Sequence, residues 1–129
     1  MIVLNKMYSL PELCFVGGSS EDLQFNLFCN EADPTPFNLF GGIANFSIVN
    51  FLNKNSTPLV SKKMDISMNA EETHYNVLRV SLEPTDTVDL FGKFVYQITI
   101  RDIEGNVDIP HQGIINIYNN INKAFVKIK

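Results

Sequence analysis

GKFVYQITIRDIEGNVDIPHQGIINIY, Gly92 to Tyr118, is the stretch that decides the fold of this chain. Phe94, Tyr96, Ile98 and Ile100 alternate with Val95, Gln97, Thr99 and Arg101, and a period of two marks a strand with one buried face. Glu104-Gly105-Asn106 supplies turn chemistry where the alternation stops, so two long antiparallel strands are expected. Pro110 lacks a ladder donor and predicts a bulge or bend between Pro110 and Gly113. The stretch carries no catalytic group and reads as scaffold.

Upstream, Leu23, Phe25 and Leu27 alternate with Gln24 and Asn26 in a first clear strand. That strand ends at the loop Asn30-Glu31-Ala32-Asp33-Pro34-Thr35-Pro36, where two prolines prevent ladder formation. After Gly41-Gly42, Ala44, Phe46 and Ile48 face one side of a strand and Asn45, Ser47 and Val49 the other. Asn53 to Pro58 is turn composition, and a weaker strand follows with Lys62 and Lys63 on an exposed edge, where lysines discourage stray pairing. Leu78, Val80 and Leu82 point inward on the next strand, with Arg79 and Ser81 outward. Between it and Gly92, Thr85 or Asp86 could cap a single helical turn that crosses one end of the sheets. Strands at intervals of roughly ten to twenty residues, with no longer helical period, predict an all-β, immunoglobulin-like antiparallel β-sandwich in a single domain. Residues 1–18 are expected as an N-terminal arm or edge strand and 19–118 as the sandwich. Residues 119–129, which end in AFVKIK, are expected as a C-terminal arm or last strand.

The bulk composition limits partners. A chain of 129 residues can bury a core without disulfides or metal, and 45% hydrophobic with 19% charged content argues against disorder. No apolar run approaches the ~20 residues of a membrane span, and the N-terminal segment lacks a basic leader and a cleavage site, so neither a membrane nor a signal peptide is expected. A net charge of −4 without a basic stripe disfavours nucleic acid. Cys14 and Cys29 are too sparse for a disulfide framework, and buried free thiols are expected, with a local bridge between the two as the alternative.

Enzyme chemistry finds no support. His74 and His111 are the only histidines, neither with a Cys or His at metal spacing, and both are expected in loops or at a rim. Glu83, Asp86 and Asp89 lack the dense arrangement of a calcium cage and are expected as a solvated loop with one capping carboxylate. Gly17-Gly18-Ser19-Ser20 has no histidine partner for a nucleophile, and Glu12, Glu21 and Asp22 have no apolar pocket to raise a pKa. The chain is expected to be a non-enzyme without cofactor or metal.

What remains is surface. Phe28, Phe37, Phe40, Phe51 and Phe91 fall out of phase with the inward sets or at their ends, so each either plugs an end of the sandwich or is exposed. With the apolar segment Met1 to Tyr8, they raise the expectation of a protein interface, for which Met1, Ile2, Val3, Tyr8, Phe37, Phe40, Phe125 and Val126 are the candidates. Strand edges near the termini would let a neighbouring subunit add a strand. A carbohydrate-binding module, with Tyr75, Tyr118 or phenylalanine stacking on sugar rings, is an alternative that the absence of Trp weakens.

The order of several features is that of a known family. LQFNLF at Leu23 to Phe28, Leu39 with Gly41-Gly42, Phe91-Gly92-Lys93-Phe94-Val95-Tyr96, Arg101-Asp102-Ile103-Glu104-Gly105 and Pro110 to Ile117 together resemble the N-terminal domain of phage baseplate upper proteins. The resemblance covers about residues 19 to 118. It implies an immunoglobulin-like virion module that anchors an appendage by contacts with other virion proteins, often as a trimer, with no catalytic residues. Family members continue into a fibre or receptor-binding region, whereas this chain ends at Lys129. An adaptor or anchoring module in the baseplate, tail or fibre base is therefore expected, assembled in a bacterial cytoplasm as a homo-oligomer (trimer or dimer) or part of a larger symmetric assembly. A capsid-decoration or head-fibre protein of the same fold is the alternative.

Overall fold

The computed structural model describes residues 10–27 and 38–128, with the backbone alone for Pro110 and His111. In chain order the elements are β1 (Leu13–Val16), β2 (Glu21–Asn26), β3 (Ile43–Asn50), β4 (Val60–Ser67), β5 (Val77–Leu82), the one-turn helix α1 (Pro84–Thr87), β6 (Gly92–Arg101), β7 (Val107–Tyr118) and the one-turn helix α2 (Lys123–Val126). The strands hydrogen-bond in the order β1-β7-β6-β3-β4-β5-β2.

That one sheet folds over on itself. Phe25 lies on β2, at the end of the order, yet its ring centroid is 5.9 Å from Tyr96 on β6 and 6.5 Å from Phe46 on β3. The corner is β4, whose Val60 to Met64 pair with β3 while Asp65 to Ser67 pair with β5. The result is an all-β sandwich, one curled seven-stranded sheet around one core. Phe46, Ile48, Leu78, Tyr96, Ile98 and Ile115 have no exposed surface, and burying each such side chain is worth roughly 1.5–3 kcal/mol.

Tyr96 organises the centre. Its ring lies 5.6 Å from that of Phe46, and its hydroxyl donates to the carbonyl of Pro11. Burial pushes that hydroxyl well above the usual phenol range, which keeps it a neutral donor. Opposite Tyr96 on β7 stands Gly113, where a Cβ would meet the ring at 2.5 Å. The sequence needs glycine there because the tyrosine occupies the space.

Several expectations change. The sheet is not wholly antiparallel, since β1 runs parallel to β7, with Leu13 opposite Ile115 and Val16 opposite Tyr118. Lys62 and Lys63 lie on a central strand, not an edge; the Lys62 ammonium is 2.5 Å from the Asp86 carboxylate and donates to the Ser81 carbonyl. Val95 is buried although it faces outward, because it forms a row with Val49 and Ile114 and lies beside Pro58 of the connection between β3 and β4. The tail forms a helical turn at 123–126 and no strand: Asn122 donates to the Asn120 side chain at 2.7 Å, and Lys127 closes onto the Lys123 carbonyl. Cys14 is a free thiol and is exposed, because it shares the outward row of Asn116; Cys29 lies outside the described residues.

Elsewhere the reading of the sequence corresponds closely to the structure. Strand β7 is continuous through Pro110, but Ile98 pairs with His111 and Ile100 with Asp108, so β7 carries one extra residue there. The hairpin turn is held by Asp102, whose carboxylate accepts from the backbone N–H of Glu104 and of Asn106, both at 2.9 Å. The N-cap of α1 is Glu83 and not Thr85 or Asp86, because Pro84 already starts the turn; Asp86, at the third helical position, completes a capping box by accepting the Glu83 N–H at 2.7 Å.

Candidate assembly surface

The sandwich has two ends, set by the strand directions. At one end β3 begins and β6 stops, because Ile43 pairs with Arg101; at the other Asn50 pairs with Phe94. The whole of β6, nine residue steps from Gly92 to Arg101 at ~3.4 Å each, spans about 30 Å between these ends.

The first end is built around Leu39. Its N–H donates to the Tyr75 carbonyl at 2.9 Å, and Tyr75 in turn donates to the Asn38 side chain at 3.2 Å. This clamp buries Leu39 and turns its neighbour Phe40 outward, 59% exposed. Phe40 rests against Tyr75 with ring centroids 5.1 Å apart. Gly41, at φ +75°, lets the chain reverse, and its missing Cβ leaves room for Ile103, which remains 70% exposed. Ile43 and Val107, both about half exposed, flank Arg101 in one cross-strand row. The outcome is an apolar corner of Phe40, Ile103, Ile43 and Val107 around a single cation. Asp102 beneath it is held below the usual carboxylate range, first by the Asn106 N–H.

The second end collects the chain's crossovers. A Cβ on Gly17 would lie 2.6 Å from the Thr87 carbonyl oxygen, so the turn after β1 fits against α1 only as glycine. The Gly18 N–H donates to Thr87 Oγ1 at 2.9 Å, and the Asn120 amide donates to the Gly17 carbonyl at 2.7 Å. Val126 is half-buried over Gly18, and Lys127 pairs with Asp89 at 3.1 Å. Phe125, Phe91 and Ile121 project from this end, exposed.

The structure thus places the candidate interface residues apart. Phe40 is at the first end, while Phe125 is at the second with Val126 turned partly inward. Met1, Ile2, Val3, Tyr8, Phe28 and Phe37 lie outside the described residues. Phe51 is half-buried, with the ammoniums of Lys93 and Lys54 4.3 and 4.5 Å from its ring centroid. Tyr75 and Tyr118 sit at opposite ends and form no common stacking platform. Ile43, Ile103 and Val107 escaped the sequence reading because each sits in a strand or turn where an inward role was equally open.

Among the described residues no group of three or more His, Cys, Asp or Glu could hold a metal ion, and no helix is long and apolar enough to cross a membrane. His74 Nδ1 lies 2.9 Å from Thr73 Oγ1 in a loop, and the His111 side chain is outside the described residues.

No family model and no curated protein matches the sequence. Among solved structures, the chain is similar to AggA, the major subunit of aggregative adherence fimbriae type I from Escherichia coli. The identity is 11% and the TM-score 0.34, over 84% of this chain and 90% of that one, a likeness too loose to bear on function.

Proposed function

We propose that this chain is a structural protein of a bacteriophage virion, an adaptor or anchoring module that works by protein–protein assembly and not by catalysis. The observation that carries assembly is the corner at Phe40, where an aromatic and three aliphatic side chains stand in solvent around Arg101. Aromatic anchors ringed by aliphatic surface and a polar rim are the usual core of a protein interface. The virion assignment is supported by the resemblance of Gly92 to Ile117 and the preceding strands to baseplate modules.

Light scattering during size exclusion tests the assembly. The wild-type chain is expected as a dimer or trimer, and the double variant Phe40→Ser/Ile103→Asp as a monomer with an unchanged far-UV spectrum. A monomeric wild type, or an oligomer indifferent to the double substitution, overturns the role of this corner. Absence of the chain from purified virions, by mass spectrometry, overturns the virion assignment separately.

A further inference from the structure

The two outer faces of the sandwich differ in chemistry. On the face of β4, β5 and β2, charge is met by the protein's own groups: Arg79 donates to Gln24 at 2.6 Å and stands opposite Asp65, and Ser81 donates to Asp22. The face of β3, β6 and β7 instead carries Asn45, Ser47, Gln97, Thr99 and Gln112 at its middle outward positions, with Lys93 opposite Asn116, Arg101 opposite Ile43 and Lys63 opposite Asn45 around them. The middle positions are neutral amides and hydroxyls.

A cleft of about 230 Å³ is set into that neutral region. Half-buried Val49 and exposed Pro58 give it apolar surface, with Val95, the buried cross-strand partner of Val49, beneath them. Ser47, Gln97, Gln112 and Ser56 supply polar groups around this surface. Among the described residues no carboxylate lines it and Lys54 is its one cation, with the ammonium 4.5 Å from the Phe51 ring centroid.

The amides are oriented in advance. Gln112 Nε2 donates to Gln97 Oε1 at 2.7 Å, and Gln97 Nε2 donates to Thr99 Oγ1 at 3.1 Å. Gln112 Oε1 is shielded from solvent and has no hydrogen-bond partner among the described residues. An acceptor in that condition is unfavourable, and a hydrogen bond from an incoming hydroxyl relieves it.

We propose that this cleft binds one ring of a neutral saccharide. A pyranose presents an apolar C–H face and a rim of hydroxyls, which match Val49 and Pro58 on the one hand and the row of Ser47, Gln97 and Gln112 on the other. The one ionic group of the described lining, Lys54, has its ammonium over the Phe51 ring. The volume is below the ~300–1,000 Å³ typical of pockets for drug-sized ligands, so a single ring is the unit that fits.

Titration of the 15N-labelled full chain with glucose, galactose, mannose, N-acetylglucosamine and galactose 6-sulfate, followed by NMR, tests this. With at least one neutral sugar, the side-chain amide signals of Gln97 and Gln112 are expected to shift saturably while those of Gln24 stay fixed. Gln97→Ala is expected to weaken binding about fivefold, the loss of one hydrogen bond. Ser47→Ala, at the cross-strand partner of Gln97 on β3, is a second variant with the same expected direction, and Gln24→Ala leaves binding unchanged. No saturable shift with any neutral sugar, binding of the sulfated sugar alone, or wild-type affinity in both cleft variants overturns the proposal.

Discussion

Gly113→Ala tests whether the core is built around Tyr96. A Cβ at position 113 would lie 2.5 Å from Tyr96 Cε1, 2.6 Å from Cζ and 2.8 Å from the hydroxyl oxygen. All three distances are well inside van der Waals contact, so something must move. The ring has little freedom to retreat, because Phe46 and Phe25 pack against it and its hydroxyl is bound to the Pro11 carbonyl. Replacing glycine in a strand by alanine ordinarily gains ~0.5–1 kcal/mol in backbone entropy. Overpacking a filled core costs typically 1–3 kcal/mol, occasionally more, and here the collision involves a fixed ring and not a flexible chain end. The net expectation is a destabilisation of about 1–2 kcal/mol. A domain of this size then loses roughly 3–10 °C in Tm. Thermal unfolding by circular dichroism, with urea titration for the free energy, measures both. The decisive control is a double-mutant cycle with Tyr96→Leu, which removes the colliding ring. In that background Gly113→Ala should be neutral or stabilising, a coupling of about 1 kcal/mol or more. A neutral Gly113→Ala in the wild-type protein, or the same cost in both backgrounds, would refute the reasoning.

Two further substitutions probe the ends of the sandwich. Thr87→Val keeps the shape of a fully buried side chain but deprives the Gly18 N–H of its acceptor, and should cost about 1–3 kcal/mol in urea unfolding; Thr87→Ser, which keeps the hydroxyl, should cost less. Asp102 has a depressed pKa in the folded state, so its carboxylate stabilises the hairpin turn above the unfolded value of ~3.9 and that contribution fades as pH falls through the folded value. Asp102→Asn should therefore be less stable than wild type near neutrality, with the gap closing on acidification from about pH 5 to about pH 2; a gap that stays constant with pH would contradict the charge-based account.

The strands were legible because their burial follows period two. Ala44, Phe46 and Ile48 on β3, and Leu78, Val80 and Leu82 on β5, are buried as the alternation requires. The pattern failed where a third element intervened. Val95 breaks the alternation on β6 because the connection between β3 and β4 covers it, and the signal was present in the unbroken apolar run Phe94-Val95-Tyr96. The parallel pairing of β1 was not legible, because four residues carry no directional information and the partner is about a hundred positions away. Nor could the sequence tell Leu39 from Phe40. The two are adjacent and apolar, and the hydrogen bond from Leu39 to Tyr75, made across the loop, decides which is buried. The cleft was invisible for the same reason: Ser47, Ser56, Gln97 and Gln112 are unremarkable polar residues until three strands and a loop place them together.

The positions of the apolar groups bear on what kind of assembly the proposed function allows. Phe40, Ile43, Ile103 and Val107 lie at one end of the strands, and Phe91, Ile121 and Phe125 at the other, about 30 Å away along β6. A twofold dimer needs one self-complementary patch and leaves the opposite end free for a different partner. A trimer made by cyclic symmetry requires two different patches to meet, and patches at opposite ends of a straight rod bring successive copies into a line before they bring them into a ring. The first end is also the better defined of the two, since Leu39, Gly41 and Asp102 fix the backbone that presents its side chains. The second end is made from the Gly17 turn, α1 and the tail through α2, which hold one another through Thr87, Asn120 and the Lys127–Asp89 pair. An exposed pair of that kind contributes little, ~0–1 kcal/mol, so the tail end is the more adaptable surface. An adaptor that joins copies of itself through the rigid Phe40 end and receives a different virion component at the Phe125 end makes use of both.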